Sequence, residues 1–216
     1  MEPRITILIA DDHPLTRAGL RTILEQVPDM EVVGEAQDGD MAQVLVTELR
    51  PMVLLLDLKM PGLVAAKLER WVRMNYPEIV TLVLTAHDRD AYLAGMLEAG
   101  ASGYFNKNER AENIIAAIRR AASGEFLFTT EQFERALRWN EAAGKKWERL
   151  TAREREILKL LVQGMSDAML AKALKIAHRT ASSHVSNLLQ KLELGSRQEA
   201  VAWMAKHFPE PSDDLQ

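Results

Sequence analysis

Residues 54–62 read LLLDLKMPG, a leucine run that ends in an aspartate and leads into a proline and a glycine. A short apolar run bounded by turn residues is typical of a strand that is buried on both faces. A second run, VTLVL at residues 80–84, precedes Thr85 and has the same character. Strands of this kind occur in parallel sheets that helices cover on each side. The two stretches therefore predict an α/β domain.

Similar apolar runs lie on either side of these stretches and alternate with amphipathic ones. The predicted strands are Ile5–Ala10, Glu31–Ala36, Met52–Asp57, Ile79–Thr85 and Ser102–Phe105. The predicted helices are Pro14–Gln26, Asp40–Leu49, Ala65–Asn75, Asp90–Ala99 and Ala111–Ser123. Five successive strand–helix units predict a doubly wound parallel sheet of five strands with helices on both faces.

The polar residues that follow these strands are expected to share one site. Ligands of a doubly wound sheet bind beyond the carboxyl ends of the strands, where the strand order reverses. The residues at those ends are Asp11, Asp12, Asp57, Thr85 and Lys107. Crowded carboxylates favour a divalent cation, and Mg²⁺ suits one or two carboxylates with water and phosphate. A carboxylate beside such an ion can act as a nucleophile toward phosphorus.

The rest of the chain is predicted to be helical. Thr129–Asn140 is predicted as a helix and Glu141–Lys146 as a short linker that contains Gly144. Thr151 and Glu154 have the spacing of a capping box at the start of the next helix, which Gly164 ends. The three helices predicted after it are Ser166–Leu174, Arg179–Leu192 and Ser196–Lys206.

Charge divides the chain into an acidic and a basic part. Residues 1–144 hold 15 basic and 22 acidic residues, a balance of −7, whereas residues 145–208 hold 12 and 6, a balance of +6. The helix 179–192 buries Val185, Leu188 and Leu192 and presents Arg179 and several serines on its other side. A short helix, a turn and such a helix form a helix-turn-helix pattern, whose second helix enters the major groove of DNA.

Composition excludes several classes of protein. The chain has 216 residues and no cysteine, which rules out disulfides, a thiolate nucleophile and a cysteine-based zinc site. No apolar run approaches the ~18 residues of a membrane span, and the N-terminal apolar run is too short for a secretory signal. We therefore expect a cytoplasmic protein.

The first half resembles the receiver domains of two-component response regulators. The resemblance rests on ADDH at the first strand end, LLLDLKMPG at the third, LTA at the fourth and AGASGYFNK around the fifth. It implies a flavodoxin-like fold in which Asp57 accepts a phosphoryl group from a sensor histidine kinase. It further implies Mg²⁺ held by Asp11, Asp12, Asp57 and the backbone carbonyl of Lys59, pairing of Lys107 with the phosphoryl group, and a switch formed by Thr85 and Tyr104.

The basic part resembles the LuxR-type helix-turn-helix. The matching stretches are LTAREREILKLLVQGMS and LAKALKIAHRTASSHVSNLLQKLELGSRQEAV. Together the two halves resemble the NarL/FixJ class of response regulators. This implies a transcription regulator that binds double-stranded promoter DNA as a homodimer, with RNA polymerase as a further possible partner, no membrane contact and no enzymatic turnover. The DNA-binding residues expected from it are Arg179, Thr180, Ser182, Ser183, His184, Ser186 and Lys191.

Several positions depart from the usual family pattern. Val64-Ala65 replaces the usual Asp/Asn-Gly pair after the phosphorylation site, and Asn108 replaces a frequent proline. Residues 166–171 read SDAMLA where Ser-Asn-Lys-Glu-Ile-Ala is common, so a lysine is lost and an acid gained. Ala177 stands at a capping position that often holds serine, and Ser182 where lysine is common. We expect altered phosphorylation kinetics and modest DNA affinity.

The resulting prediction is a receiver domain at 1–124, a linker with a helix at 125–146, an all-α four-helix domain of the LuxR type at 147–208 and a frayed acidic tail at 209–216. Two alternatives remain open. The first is an interaction protein whose helical domain binds a protein instead of DNA. The second is a phosphatase that works through an aspartyl phosphate, although no second aspartate lies two residues after Asp57.

Overall fold

A five-stranded parallel sheet forms the centre of the first part of the chain in the computed structural model, which describes residues 4–208. Its strands are β1 (Ile5–Ala10), β2 (Met30–Ala36), β3 (Val53–Leu56), β4 (Val80–Thr85) and β5 (Gly103–Asn106). They lie in the order β2-β1-β3-β4-β5, and every neighbouring pair is parallel. The order reverses between β1 and β3, which opens the crevice that a doubly wound sheet uses for ligands.

Five helices cover this sheet. They are α1 (Pro14–Glu25), α2 (Gly39–Leu49), α3 (Ala65–Asn75), α4 (Asp90–Ala99) and α5 (Ala111–Ala122). All four residues of β3 are buried, as expected for a strand with helices on both faces. The predicted doubly wound α/β fold is confirmed, and the predicted strand and helix bounds agree with the observed ones to within one residue.

The chain divides into two compact units, Met1–Ala136 and Leu137–Gln216. Helix α6 (Thr130–Trp139) is followed directly by a π-helix (Asn140–Gly144) and by α7 (Lys145–Glu148). No helix within residues 4–208 is long and apolar enough to cross a membrane. The acidic tail predicted at 209–216 lies outside the described residues.

The prediction of a short linker at Glu141–Lys146 is wrong, because these residues are helical. Ala143 and Trp147 are buried in the core of the second unit, so the segment gains apolar burial by remaining helical. Gly144 permits a close approach there, since a methyl group at that position would lie 2.7 Å from Oδ1 of Asn140 and 3.0 Å from the ring of Trp139.

Four more helices complete the second unit. They are α8 (Ala152–Val162), α9 (Asp167–Ala173), α10 (His178–Leu192) and α11 (Arg197–His207). The predicted capping box is confirmed, because the Thr151 side chain accepts from the Glu154 amide and the Glu154 carboxylate from the Thr151 amide. Leu158, Leu188 and Met204 are among the residues that fill the core between these helices.

Candidate functional site

Two aspartates stand at the crevice where the strand order reverses. The amide of Asp11 donates to the carbonyl of Ala36, and the amide of Asp57 donates to the carbonyl of Ala10. These bonds extend the sheet pairing by one residue beyond β1 and β3, so the backbone of both aspartates is fixed. Both residues are buried. The structure therefore brings together the two strand ends from which the sequence predicted a site.

Lys107 joins the two carboxylates. Its Nζ lies 2.8 Å from Oδ2 of Asp11 and 2.8 Å from Oδ2 of Asp57. Burial lowers the pKa of Lys107, but its hydrogen bonds to both carboxylates outweigh this effect and raise the pKa above its usual value. The second oxygen of Asp57, Oδ1, accepts from the amide of Leu58 at 2.8 Å. The site therefore holds a protonated amine between two buried carboxylates.

A group of oxygen and nitrogen ligands surrounds the end of β1. One ligand atom from each of Asp11, Asp12, His13 and Asp57 lies within 4.8 Å of the others. Oδ1 of Asp12 is buried and accepts no hydrogen bond from any described residue, although Nδ1 of His13 lies 2.7 Å away as an ion-pair partner if it is protonated. A buried carboxylate oxygen without a donor is costly unless a cation satisfies it. The donor set therefore suits a hard divalent cation such as Mg²⁺.

Thr85 and Tyr104 both form hydrogen bonds with the backbone of His87, in the loop between β4 and α4. The buried hydroxyl of Thr85 accepts from the amide of His87 at 3.1 Å. The hydroxyl of Tyr104 donates to the carbonyl of His87 at 2.7 Å, and burial raises the pKa of Tyr104. The loop between β4 and α4 is thus bonded to both residues that were expected to form a switch.

Helix α6 contributes contacts that sequence reasoning missed. Arg135 forms ion pairs with Asp88 at 2.8 Å and with Asp90 at 2.7 Å, at the end of the same loop and the start of α4. The side-chain amide of Gln132 donates to the backbone carbonyl of Tyr104 at 2.9 Å. All these residues belong to the first unit. No periodic pattern in the sequence marks pairs of this kind, because they join surface positions about 30 to 50 residues apart.

The loop after Asp57 rests on the start of α2, which the sequence did not indicate. The amide of Gly39 donates to the carbonyl of Pro61 at 2.9 Å, and a methyl group at Gly39 would lie 1.9 Å from the carbonyl oxygen of Leu63. Gly62 takes the left-handed backbone conformation in this loop, with φ +80°, and Ala65 does not need one. The alanine is therefore compatible with the loop as it is built here.

The polar side of α10 is exposed, as the sequence predicted. Arg179, Thr180, Ser183 and Ser186 lie open to solvent, while Val185, Leu188 and Leu192 are buried. His184 is half-buried. The hydroxyl of Ser186 donates to the carbonyl of Ser182 within the same helix. Ala177 precedes the helix without a side-chain cap, as expected.

Two of the residues expected to bind DNA are engaged within the second unit. Nζ of Lys191 lies 2.7 Å from Oε2 of Glu154, the buried partner in the capping box. Burial raises the pKa of Glu154, but hydrogen bonds from Lys191 and Thr151 outweigh burial and lower it. Ser182 is half-buried at the edge of the exposed side and donates to Oδ2 of Asp167 at 2.7 Å. Its hydroxyl is therefore less open than the pattern suggested.

Comparison with protein families assigns a description to each half. Residues 7–119 match the family of response regulator receiver domains, and residues 148–204 match the luxR family of bacterial regulatory proteins. The two matched regions correspond to the sheet with its crevice and to the helices of the second unit.

Individual relatives match along nearly the whole chain. The nitrate/nitrite response regulator protein NarL of Escherichia coli K12 is 37% identical, with 92% of this chain and 94% of the relative covered. The transcriptional regulatory protein DegU of Brevibacillus brevis is 34% identical, with 95% of each covered. Among solved structures, the RcsB–DNA complex, described as a two-component response regulator, has a TM-score of 0.59 at 27% identity, with 94% of this chain and 98% of that chain covered.

Proposed function

This chain belongs to the two-component response regulators that join a receiver domain to a LuxR-type DNA-binding domain, and from that membership we propose that it accepts a phosphoryl group on Asp57 and regulates transcription as a dimer. We assign phosphoryl acceptance to residues 1–124 and DNA binding to residues 147–208. A sensor histidine kinase would supply the phosphoryl group, and promoter DNA would be the second partner. Both encounters would take place in the cytoplasm.

The observation that carries this proposal is the environment of Asp57. Its carboxylate is buried beside Lys107 and the amide of Leu58 at the crevice of the sheet. An oxygen of the carboxylate would attack phosphorus, forming an O–P bond as the N–P bond to the kinase histidine breaks. The kinase histidine leaves with the bonding electron pair as imidazolate, and a proton from solvent converts it to neutral imidazole. The ammonium of Lys107 would stabilise the charge on the phosphoryl oxygens.

The acidic residues around Asp57 fit a bound Mg²⁺. Asp12 offers a buried oxygen that makes no hydrogen bond within residues 4–208, and Asp11 and Asp57 complete the carboxylate set. Lys59 follows Asp57 by two residues, and its carbonyl would add a neutral ligand. When bound, Mg²⁺ supplies positive charge that offsets the repulsion between the carboxylates and the incoming phosphate.

Thr85 and Tyr104 would change their hydrogen bonds when Asp57 is phosphorylated. The hydroxyl of Thr85 is a hydrogen-bond donor that can turn toward a phosphoryl oxygen on Asp57. Such a turn would change its bond with the amide of His87, and the carbonyl of His87 is the acceptor for Tyr104. Phosphorylation would therefore favour a different position of this loop and shift the population of the receiver toward the dimer.

Labelling tests the phosphoacceptor directly. Incubation of the full chain with Mg²⁺ and acetyl phosphate should add one phosphoryl group, as measured by intact mass. Asp57→Asn should remove the gain in mass, whereas Asp12→Asn should leave the acceptor in place and slow the reaction. Equal labelling of wild type and Asp57→Asn would overturn the assignment.

A further inference from the structure

Three helices of the DNA-binding unit meet at one carboxylate. Asp167, the first residue of α9, accepts from the hydroxyl of Ser182 on α10 at 2.7 Å. Its other oxygen accepts from the guanidinium of Arg197, the first residue of α11. The same guanidinium donates to the backbone carbonyl of Met165 at 3.3 Å. Asp167 thus joins the start of α9, the first half of α10 and the start of α11.

The two groups that donate to Asp167, the hydroxyl of Ser182 and the guanidinium of Arg197, could otherwise donate to a DNA phosphate. Arginine and serine side chains are common donors to the phosphate backbone of DNA. The side chains of Asp167 and Arg197 are 25% and 34% exposed, so the pair is partly open to solvent, and the bond from Ser182 connects it to the edge of the polar side of α10. Burial raises the pKa of Asp167, but the bonds from Ser182 and Arg197 outweigh it and lower the pKa. The carboxylate is therefore charged at neutral pH.

We propose that Asp167 lowers the sequence-independent affinity of the DNA-binding surface. It neutralises Arg197 and holds Ser182, so that neither is available to a phosphate, and its own negative charge repels the backbone. This inference rests on the proposed DNA binding of residues 147–208. Phosphate contacts supply essentially all non-specific affinity, whereas base contacts supply selection. Removal of one phosphate contact therefore lowers the affinity for every sequence by a similar factor and leaves the choice between sequences to the base contacts.

The substitution Asp167→Asn removes the negative charge of this side chain and keeps a hydrogen-bond acceptor in its place. The amide oxygen of asparagine can still accept a hydrogen bond, so the three helices keep a polar junction, while Arg197 regains an unneutralised positive charge. One additional phosphate contact steepens the dependence of log K on log salt by about 0.9. Lowering the salt concentration fourfold should therefore tighten DNA binding by Asp167→Asn roughly threefold more than it tightens binding by wild type.

The experiment is a binding titration of the full chain on a fluorescently labelled random-sequence duplex at about 50 mM and about 200 mM salt. Glu193→Gln is the matched control, since it removes the same charge at the C-terminal end of α10, where Glu193 pairs with Lys146 and Arg149. That position lies roughly 16 Å along the helix axis from Ser182. Ser182→Ala is a second control, because it frees no cation.

The expected result is tighter binding and a steeper salt slope for Asp167→Asn alone. Equal slopes for Asp167→Asn and wild type, or an equal gain for Glu193→Gln, would overturn the inference while leaving DNA binding intact. If no variant and no wild-type sample bound DNA at either salt concentration, the proposed DNA-binding function would fail, and this inference with it. Circular dichroism of each variant would establish that the helical fold is retained.

Discussion

The hydroxyl of Tyr104 donates a 2.7 Å hydrogen bond to the backbone carbonyl of His87. The ring is buried within β5, and the acceptor belongs to the loop after β4. This bond holds the aromatic ring against the loop whose amide is already bonded to Thr85. The position of the loop is therefore determined by two side chains, Thr85 at the end of β4 and Tyr104 within β5.

Removal of that hydroxyl should loosen the loop. Tyr104→Phe deletes one buried hydrogen bond and leaves the carbonyl of His87 without this donor, so the free energy of unfolding should fall by about 1–2 kcal/mol. Urea denaturation followed by circular dichroism measures the change. Tyr76→Phe is the control, because among the described residues the hydroxyl of Tyr76 makes no recorded hydrogen bond and its ring packs on Trp71. Equal losses in both variants would contradict the role of the bond.

The ion pairs of Arg135 should hold α6 in place. Arg135→Ala removes bonds to both Asp88 and Asp90 from a side chain that is mostly buried, and amide hydrogen exchange of residues 130–136 should become faster. Arg120→Ala provides the comparison, since the pair of Arg120 with Glu125 is more exposed and such surface pairs contribute little. Unchanged exchange in α6 after Arg135→Ala would show that its other contacts, among them the bond from Gln132 to the carbonyl of Tyr104, are enough to hold the helix.

Glu69 should make the receiver unit sensitive to pH. Its carboxylate is fully buried on α3, and within the described part of the chain Thr81 lies near it without forming a well-aligned hydrogen bond. Burial raises the pKa of Glu69 from 4.5 to about 7, and the nearby Thr81 and Arg73 only partly oppose this effect. A raised folded-state pKa means that the stabilisation is complete below about pH 4.5 and is lost as pH rises through about 7.

The variant Glu69→Gln should remove this dependence. A shift of that size corresponds to a loss of about 3 kcal/mol in wild type between pH 4.5 and pH 8. The free energy of unfolding of Glu69→Gln should therefore rise relative to that of wild type as the pH increases across this range. Chemical denaturation at several pH values measures it, with the exposed Glu78→Gln as control. A constant difference at every pH would rule out titration of Glu69.

The close contact at Gly39 should be essential for the loop after Asp57. Gly39→Ala places a methyl group 1.9 Å from the carbonyl oxygen of Leu63, so the backbone of one segment must move. Phosphorylation by acetyl phosphate should slow at least about tenfold, because a misplacement of about 1 Å can cost on the order of 100-fold in rate. Gly19→Ala is the matched control, since a methyl group at Gly19 meets nothing within 4 Å. Equal rates for the two variants would contradict the contact.

Some of these features were visible in the sequence and others were not. Asp57 and Asp11 could be placed together because successive strand–helix units predict parallel strands, and parallel strands bring their carboxyl ends to one edge. The partner of Arg135 could not be found in this way, since ion pairs on a surface leave no periodic pattern. Ser182 was assigned to an exposed side by helical spacing, but spacing alone does not reveal the carboxylate of Asp167 on the neighbouring helix.

The helical run from Thr130 to Glu148 limits how two such folds could have been joined during evolution. Gln132 and Arg135 bind to the first unit, whereas Ala143 and Trp147 belong to the core of the second. A recombination point at Lys145 would separate Ala143 from the core that it helps to fill. The point that preserves both sets of contacts lies inside α6, near Ala136 and Leu137. Exchange of these domains at this point would leave each core with the residues that fill it, whereas exchange at the end of the π-helix would not.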